Sequence, residues 1–296
     1  MRLRLRDTTI ELVGGEPLLM GIVNANPDSF SDAVRLDTLD KQVAHALTLV
    51  ADGAAMIDVG GESGVTYTDA SVDDVEADRV IPLVRALAAE GVTVSVDTWK
   101  AGVAERALDA GAHIINDTSG LADPSIADLC ASSGAALVVM HTRAAPKQVG
   151  FPDYDGDVRG DVAGFLAERC ALARDHGVGE DQLIVDPGPD FAKSPAESVE
   201  VMADLSPLQA LGRPILAAIS RKYFVGAITG RPPQERLAGT LAALAEAVDA
   251  GATIARVHDV RDAADFLAVR GVLRGDRPMP AFDAEDERLK WIRYRP

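Results

Sequence analysis

Eight short apolar segments, each ending in polar residues, recur along the chain. They are Leu18–Asn24, Ala55–Glu62, Val92–Thr98, His113–Asp117, Ala136–His141, Leu183–Asp186, Pro214–Ser220 and Ile254–Asp259. Most are apolar at successive positions, which is typical of a strand that is buried on both faces. The pattern therefore predicts eight strands of a parallel sheet, each followed by a polar loop suited to binding or chemistry.

Amphipathic segments with helical spacing lie between these strands, as at Val43, Leu47 and Val50. Most of them stop at a glycine just before the next strand, namely Gly53, Gly91, Gly111, Gly134, Gly177, Gly212 and Gly251. Glycine tolerates the left-handed conformation that ends a helix, so these positions predict short α-to-β turns. Eight evenly repeated βα units favour a closed (β/α)₈ TIM barrel, and an open doubly wound sheet is the alternative.

Three segments lie outside the repeat. Residues 1–17 predict an N-terminal β-hairpin, RLRLR against TIELV, that closes one end of the domain. The insertion Thr142–Asp157 predicts a mobile loop on the C-terminal face, and residues 276–296 form a charged extension whose Trp291 packs on the barrel or on a second subunit. Because no linker divides the array, we expect a single barrel domain over residues 1–296.

The composition narrows the class of protein. The net charge of −17 argues against nucleic acid or an anionic membrane as partner. Cys130 and Cys170 lack metal-ligand spacing, so we expect both to be buried in a reducing cytosol. The N-terminus lacks the apolar core of a signal peptide, and the apolar runs are too short to cross a bilayer, so a cytoplasmic location is expected.

Polar residues collect at the C-terminal strand ends, which in such barrels face one mouth that holds the active site. They are Asn24, Asp58, Glu62, Asp97, Asn116, Asp117, His141, Asp186, Ser220, Arg221, Lys222, Arg256, His258 and Asp259. The first six strands supply carboxylates and amides, and the last two supply cations, where phosphate sites in these barrels usually lie. The set suits a flat nitrogen heterocycle that carries a phosphate or diphosphate, and structural ion pairing is the alternative.

The motifs at these strand ends resemble the dihydropteroate synthase family from roughly Leu18 to Pro280. They are MGIVNANPDSFSD at Met20–Asp32, DVGGES at Asp58–Ser63, SVDTWK at Ser95–Lys100, IINDTSG at Ile114–Gly120, VMH at Val139–His141, DPG at Asp186–Gly188, SRK at Ser220–Lys222 and RVHDV at Arg256–Val260. The family joins a dihydropterin methyl diphosphate to p-aminobenzoate and releases pyrophosphate, with Mg²⁺. The resemblance implies the same fold and activity, and a homodimer, which is usual in the family.

The resemblance also implies residue roles. The pterin ring would be held by Asp97, Asn116, Met140, Asp186, Phe191 and Lys222, and the diphosphate by Asn24, Arg256 and His258, with Asn24 reaching it through Mg²⁺. The implied catalytic residues are Asp97, Lys222 and Arg256, since cations on the leaving group and a carboxylate near the pterin methylene lower the barrier. The implied acceptor pocket is Phe30, Arg221 and Tyr223. Structural alternatives remain open: Lys222 could only pair with Asp186, His258 could cap its loop, Met140 and Phe191 could be core, and His141 reads as structural.

The chain departs from the family pattern mainly on the acceptor side. The family's Thr-Arg-Pro-Gly after GGES is Gly64, Val65, Thr66 and Tyr67 here. In the first loop Val-Thr is Ala25-Asn26 and Gly-Gly is Ala33-Val34; the Ser after Ser-Arg-Lys is Tyr223; and the sixth strand's Gly-Phe-Gly is Pro189-Asp190-Phe191, followed by Ala192. The missing Arg is a planar donor on a loop that should close. We therefore predict that pterin and pyrophosphate bind in a mouth whose acceptor pocket is rebuilt.

Three hypotheses follow. The first is a dihydropteroate synthase, or a relative that uses the same activated pterin with another amine. The second is a barrel that binds a pterin without turnover. The third, a metal-dependent barrel hydrolase, is disfavoured because Asn24 and Asn26 stand where a His-x-His pair would be needed.

Overall fold

Eight parallel strands form a barrel in a computed structural model that describes residues 1–6, 8–12, 15–25, 36–62 and 70–281. A hairpin of β1 (Arg2–Leu5) and β2 (Thr8–Glu11) precedes them. The barrel strands are β3 (Leu18–Asn24), β4 (Met56–Gly60), β5 (Val94–Asp97), β6 (Ile114–Asp117), β7 (Ala136–Met140), β8 (Leu183–Asp186), β9 (Leu216–Ala218) and β10 (Ile254–Val257). They pair in the order β8-β7-β6-β5-β4-β3-β10-β9, and a parallel bridge between Val185 and Ile215 joins the two ends. The predicted (β/α)₈ barrel is confirmed.

Helices connect the strands and cover the outside of the barrel. They are α1 (Leu39–Ala51), α2 (Asp73–Ala89), α3 (Ala101–Asp109), α4 (Ser125–Ser133), α5 (Val158–Asp175), α6 (Pro195–Ala203), α7 (Ser206–Gln209), α8 (Tyr223–Thr229), α9 (Leu237–Asp249) and α10 (Val260–Arg274). All of the predicted glycine turns have positive φ, from +66° at Gly212 to +112° at Gly53. An L side chain is disfavoured there, which explains why glycine marks these turns.

The buried apolar residues divide into an outer and an inner group. The outer group fills the space between the strands and the helices and includes Val59, Ile115 and Val139. The inner group lies inside the barrel and consists of Leu3, Leu5, Leu12, Met20, Met56, Ile114, Ala136, Val138, Ile184, Leu216 and Ile254. Successive side chains of a strand point to opposite faces, so the barrel strands other than β5 contribute to both groups. In β5 the position between Val94 and Val96 is the buried Ser95.

The hairpin closes the N-terminal end of the barrel. Leu3 and Leu5 are fully buried and pack with the inner group. Arg4 Nε donates to Asp181 Oδ2 at 3.2 Å, and Arg6 Nη1 donates to the carbonyl oxygen of Leu108 at 2.8 Å. The hairpin therefore plugs this end of the barrel with apolar side chains and is held at its rim by hydrogen bonds, as the sequence predicts.

Two further sequence predictions concern the cysteines and membrane-spanning segments. Cys130 and Cys170 are both free and buried. No helix among the described ranges is long and apolar enough to span a membrane. The predicted roles of Phe30, residues 64–67 and Trp291 lie outside the described residues.

Truncating the plug should destabilise the barrel. We expect Leu5→Ala to lower the free energy of unfolding by about 2–5 kcal/mol, because it leaves a cavity inside the barrel. Urea unfolding monitored by circular dichroism measures this. Val149→Ala in the loop after β7, where the residue is 70% exposed, is the control and should change stability by less than about 0.5 kcal/mol. Equal effects of the two substitutions would contradict the plug.

Candidate active site

The polar residues of the mouth are in phase with the apolar residues inside the barrel. Four polar residues and Met140 each lie two positions after an inner-group residue on the same strand, in the pairs Met56 and Asp58, Ile114 and Asn116, Val138 and Met140, Ile184 and Asp186, and Ile254 and Arg256. Because side chains repeat with a period of two along a strand, these residues point into the same interior one layer higher. The layer below gives the mouth an apolar floor.

A glycine allows two functional side chains to share one edge of the mouth. Gly60 pairs with Asn24 on one side and with Asp97 on the other. A Cβ atom at Gly60 would lie 3.5 Å from Asn24 Oδ1 and 4.0 Å from Asp97 Cβ. The absence of a side chain at this position leaves the space between them open to a ligand.

Arg256 binds two carboxylates at the centre of the site. Its Nε donates to Asp58 Oδ2 at 2.6 Å, and its Nη2 donates to Asp97 Oδ2 at 3.0 Å. Asn116 Nδ2 donates to the same Asp58 oxygen at 3.2 Å. Burial alone would lower the pKa of Arg256, but Asp58 and Asp97 outweigh it and raise that pKa. The guanidinium is therefore a permanent cation in the wall of the mouth.

Two buried oxygen atoms beside Arg256 have no hydrogen-bond partner within the described part of the chain. They are Asp58 Oδ1 and Asn116 Oδ1. Asp58 is fully buried and Asn116 is 2% exposed. Leaving buried acceptors unpaired costs free energy, so such atoms in a native site mark a place for a donor. A ligand with N–H groups would satisfy both.

The surroundings of Asp97 disfavour its ionised form, and a cationic ligand would favour it. Burial, with the nearby carboxylates of Asp58 and Glu76, raises its pKa to about 7, against the opposing charge of Arg256. Thr118 Oγ1 also donates to Asp97 Oδ1, at 3.4 Å. A positive charge that develops nearby would favour the ionised carboxylate. Asp97 is thus poised to stabilise a cationic group.

Asp186, Lys222 and Phe191 form the opposite wall. Asp186 Oδ1 accepts a hydrogen bond from the backbone N–H of Gly188 at 2.7 Å, and burial raises its pKa. Lys222 Nζ lies 4.5 Å from the centroid of the Phe191 ring. Burial lowers the pKa of Lys222, opposed by Asp190 and Asp186. Met140, which pairs with Asp186 and is 1% exposed, completes a slot suited to a flat ring.

His258 lies on the cationic side as a neutral imidazole. Its Nδ1 is 2.9 Å from Ser220 Oγ, and its backbone N–H donates to the same oxygen at 3.2 Å. Burial, together with Arg221, Arg256 and Lys222, lowers its pKa to about 3. If the serine hydroxyl donates to Nδ1, then Nε2–H is left as a donor for an anion. An anionic ligand would raise the pKa again.

Two of the residues assigned to the acceptor pocket, Arg221 and Tyr223, lie in the described part of the chain. Arg221 Nη2 donates to Asp259 Oδ1 at 2.7 Å and its Nε donates to Oδ2 at 3.2 Å, so the side chain is engaged in a two-point ion pair. Tyr223 begins α8 and is 62% exposed. Phe30 lies outside the described residues, so the role of this set stays a prediction.

The structure gives a role to Asp58, which the sequence placed at the mouth without one, and adds Lys193, which sequence reasoning did not assign to the site. Asp58 had a signal, because it follows Met56 by two positions in an otherwise apolar strand. Lys193 had none, since lysine is ordinarily exposed. Here it is 1% exposed, and its Nζ donates to the carbonyl oxygens of Gly188 and Phe191 at 2.9 and 3.1 Å. Burial lowers its pKa to about 7.

His141 connects Lys193 to the outer surface. Lys193 Nζ lies 2.7 Å from His141 Nδ1, and His141 Nε2 lies 2.8 Å from Asp161 Oδ2. Burial lowers the pKa of His141 to about 3, so Nδ1 accepts from Lys193 and Nε2–H donates to Asp161. This network lies behind the slot and holds the turn that carries Phe191.

Comparisons with known proteins agree with this geometry. A family model described as "Pterin binding enzyme" matches residues 20–258. The dihydropteroate synthase of Bacillus subtilis (strain 168) is 42% identical over 249 residues, which are 83% of this chain and 85% of that protein. The structure of Xanthomonas albilineans dihydropteroate synthase with 4-aminobenzoic acid is 39% identical, with a TM-score of 0.84, and the match covers 95% of this chain and 100% of that one. The structure of Burkholderia cenocepacia dihydropteroate synthase complexed with 7,8-dihydropteroate is 39% identical, also with a TM-score of 0.84, and the match covers 93% and 97% of the two chains.

A barrel whose mouth offers a slot for a flat ring beside a cationic wall defines the class as pterin-binding TIM-barrel enzymes. Within that class, the chain belongs to the dihydropteroate synthase family. The resemblance inferred from the motifs is thereby confirmed.

Asp97 should make stability depend on pH. Its folded-state pKa of about 7 lies above the usual unfolded value of about 3.9, so the stability it contributes is present below pH 4 and lost as the pH rises through 7. We expect Asp97→Asn to reduce this loss, by at most about 1.4 kcal/mol per pH unit. Urea unfolding of both proteins at pH 5 and pH 8 measures the difference. Asp155→Asn, at an exposed position, is the control, and the same pH slope in wild type and Asp97→Asn would contradict the assignment.

Proposed function

We propose that this chain condenses 6-hydroxymethyl-7,8-dihydropterin diphosphate with p-aminobenzoate in folate biosynthesis. In the reaction, the arylamine nitrogen forms a bond to the pterin methylene carbon as the bond from that carbon to the diphosphate oxygen breaks. Pyrophosphate leaves, and the amine loses a proton to solvent. The observation that carries the proposal is the pair of buried acceptors beside the guanidinium of Arg256, Asp58 Oδ1 and Asn116 Oδ1, which have no partner in the described ranges.

The pterin ring is assigned to the slot between the two walls. A pterin presents N–H donors and a carbonyl along its edges, which complement the acceptors Asn116 and Asp186 and the donor Lys222. Met140 and Phe191 supply apolar contact for the ring faces. The inner-group residues below the slot are apolar and buried, so they keep water from reaching the ring from beneath. Hydrogen bonds made in such a site are stronger than in water.

The diphosphate is assigned to Arg256, His258 and Asn24. Departure of pyrophosphate leaves positive charge on the pterin methylene and negative charge on the leaving oxygen. Arg256 and the His258 N–H stabilise the second charge, and Asp97 stabilises the first. Because Asp97 already contacts Arg256 at 3.0 Å, movement of the guanidinium toward the diphosphate would free a carboxylate oxygen at the moment it is needed.

Mg²⁺ fits this donor set as a companion of the diphosphate. Among the described residues there is no group of three or more His, Cys, Asp or Glu that could hold a metal. Mg²⁺ is commonly held by one or two protein oxygens, water and substrate phosphates, and the amide oxygen of Asn24 at the rim supplies one such ligand. When bound, the ion would neutralise charge on the leaving group.

Two features support further parts of the proposal. Val269 and Leu273, one helical turn apart on α10, are 60% and 82% exposed, which favours a homodimer that covers this face. The two free, buried cysteines favour a reducing, cytoplasmic location.

Two residues favour the alternative function, with another acceptor amine or none. They are Arg221, whose side chain is bound to Asp259, and Tyr223.

Turnover is the direct test. Purified protein with the pterin diphosphate, Mg²⁺ and p-aminobenzoate should release pyrophosphate and form dihydropteroate in equal amounts. Asp97→Asn should lower kcat/KM by about 100-fold or more, since it removes the carboxylate that stabilises the developing cation. It should also weaken pterin binding in calorimetry while the circular dichroism spectrum is retained. Pyrophosphate release without dihydropteroate would favour another acceptor, and absence of pterin binding would reject the proposal.

The role of Asn24 can be tested without turnover. We expect Mg²⁺ to strengthen pyrophosphate binding in calorimetry, and Asn24→Ala to remove about tenfold of that gain, or about 1.4 kcal/mol. EDTA should abolish the gain in the wild-type protein. In contrast, His258→Asn should weaken pyrophosphate binding with and without Mg²⁺. A gain from Mg²⁺ that is unchanged in Asn24→Ala would remove this residue from the metal site.

A further inference from the structure

The turn between β8 and α6 has an unusual backbone. Gly188, Asp190 and Ala192 all have positive φ, of +62°, +68° and +52°. Glycine adopts this region freely, but a residue with a side chain is strained there, alanine more than aspartate. Non-glycine residues persist in such conformations only where surrounding contacts hold them, and they concentrate at functional sites.

The side chain of Asp190 ties this turn to a different element. Its two carboxylate oxygens accept hydrogen bonds from the backbone N–H groups of Tyr223 and Phe224, the first residues of α8, with a distance of 3.2 Å to Phe224. The backbone N–H of Asp190 donates to Ser198 Oγ of α6 at 2.9 Å. Asp190 thus connects α6, the β8–α6 turn and α8.

The residues next to this bridge, Phe191 and Lys222, belong to the same wall of the slot. Phe191 follows Asp190 in the chain, and Lys222 precedes Tyr223. Their side chains meet, with Lys222 Nζ lying 4.5 Å from the Phe191 ring centroid. The bridge therefore joins the backbones of the two residues that make this contact, one position away from each.

The other side of the turn that carries Lys222 is held by α9 and by Arg236, the residue that directly precedes α9. Arg236 Nη1 donates to the carbonyl oxygens of Arg221 and Lys222 at 2.9 and 3.1 Å. The backbone N–H of Arg221, whose φ is +56°, donates to Thr240 Oγ1 at 3.0 Å. With α9 holding one side, Asp190 is the link that sets the position of Lys222 relative to Phe191.

We propose that Asp190 is a positioning residue for the reaction, because its carboxylate fixes the contact between the Phe191 ring and the Lys222 ammonium in the wall of the slot where the pterin is recognised. The inference rests on the proposed function, but it concerns a residue that does not itself touch the substrate. The charge of Asp190 also acts on Lys222, which faces Asp97, Asp186 and Arg256 as well.

Two substitutions separate the bridge from backbone strain and from charge. Asp190→Gly removes the carboxylate and adopts φ of +68° without strain, so the protein should remain folded. We expect it to raise the pterin dissociation constant in calorimetry about tenfold, which is the size of effect given by about one lost positioning contact. Asp190→Asn keeps one of the two acceptor oxygens and tolerates the left-handed conformation, so it should raise the dissociation constant less than Asp190→Gly does.

Ala192→Gly is the matched control. It relieves the same kind of backbone strain in the same turn without touching a carboxylate, so pterin binding should not change. Pterin binding in Asp190→Gly that equals that of Ala192→Gly would overturn the proposal. Calorimetry needs no condensation, so a protein that binds pterin but makes no dihydropteroate fails the proposed function and still tests this inference.

A second measurement needs no ligand. NMR titration of the Lys222 side chain should show its pKa lowered in both Asp190→Gly and Asp190→Asn, since each removes a neighbouring negative charge that favours the ammonium. In an active enzyme the alkaline limb of the pH–rate profile should move to lower pH in both variants. An unchanged Lys222 titration in both would equally overturn the proposal, whether or not the wild-type protein binds a pterin.

Discussion

The guanidinium of Arg256 is the charge on which the mouth of the barrel depends. Asp58 is fully buried, and the same cation serves both it and Asp97. Without a cation at this point, two carboxylates in a space of low dielectric could not both ionise. Burial and the carboxylates of Asp58 and Glu76 raise the pKa of Asp97 against the single positive charge of Arg256. A substrate that develops positive charge would offset this, so the electrostatics of the mouth favour the transition state proposed for it.

The surrounding elements support this cluster from below and from behind the slot. The hairpin plugs the far end with Leu3 and Leu5, and the inner apolar layer lies between the plug and the charges. Behind the slot, the contacts of Lys193 with Gly188, Phe191 and His141 hold the β8–α6 turn from within. Asp190 holds the same turn from α8. The aromatic wall is thus fixed from two sides, which gives a preorganised site rather than one assembled by the ligand.

Much of the site could be read from the sequence because it lies on strands. Asp97, Asn116, Asp186 and Arg256 end apolar runs, and a parallel barrel brings all such ends to one mouth, so their convergence follows from topology. Asp58 follows from the same alternation. Lys193 and Asp190 lie in a turn, where side-chain direction depends on φ and on neighbours far along the chain, and local pattern carries no information about either. Arg221 shows the converse, since it adjoins the site in sequence but is bound to Asp259.

The sequence by itself determined the eight strands, the glycine turns between them, the N-terminal hairpin and the family of the chain, because each of these rests on local periodicity or on short motifs. Only the tertiary structure decided which charges share a partner. It placed one guanidinium between two acids, left two buried oxygens beside it without a partner among the residues that the structure describes, and joined Asp190 to α8. These contacts connect residues as far apart in the chain as Asp58 and Arg256, and their geometry is set by barrel register and burial, which no local segment encodes.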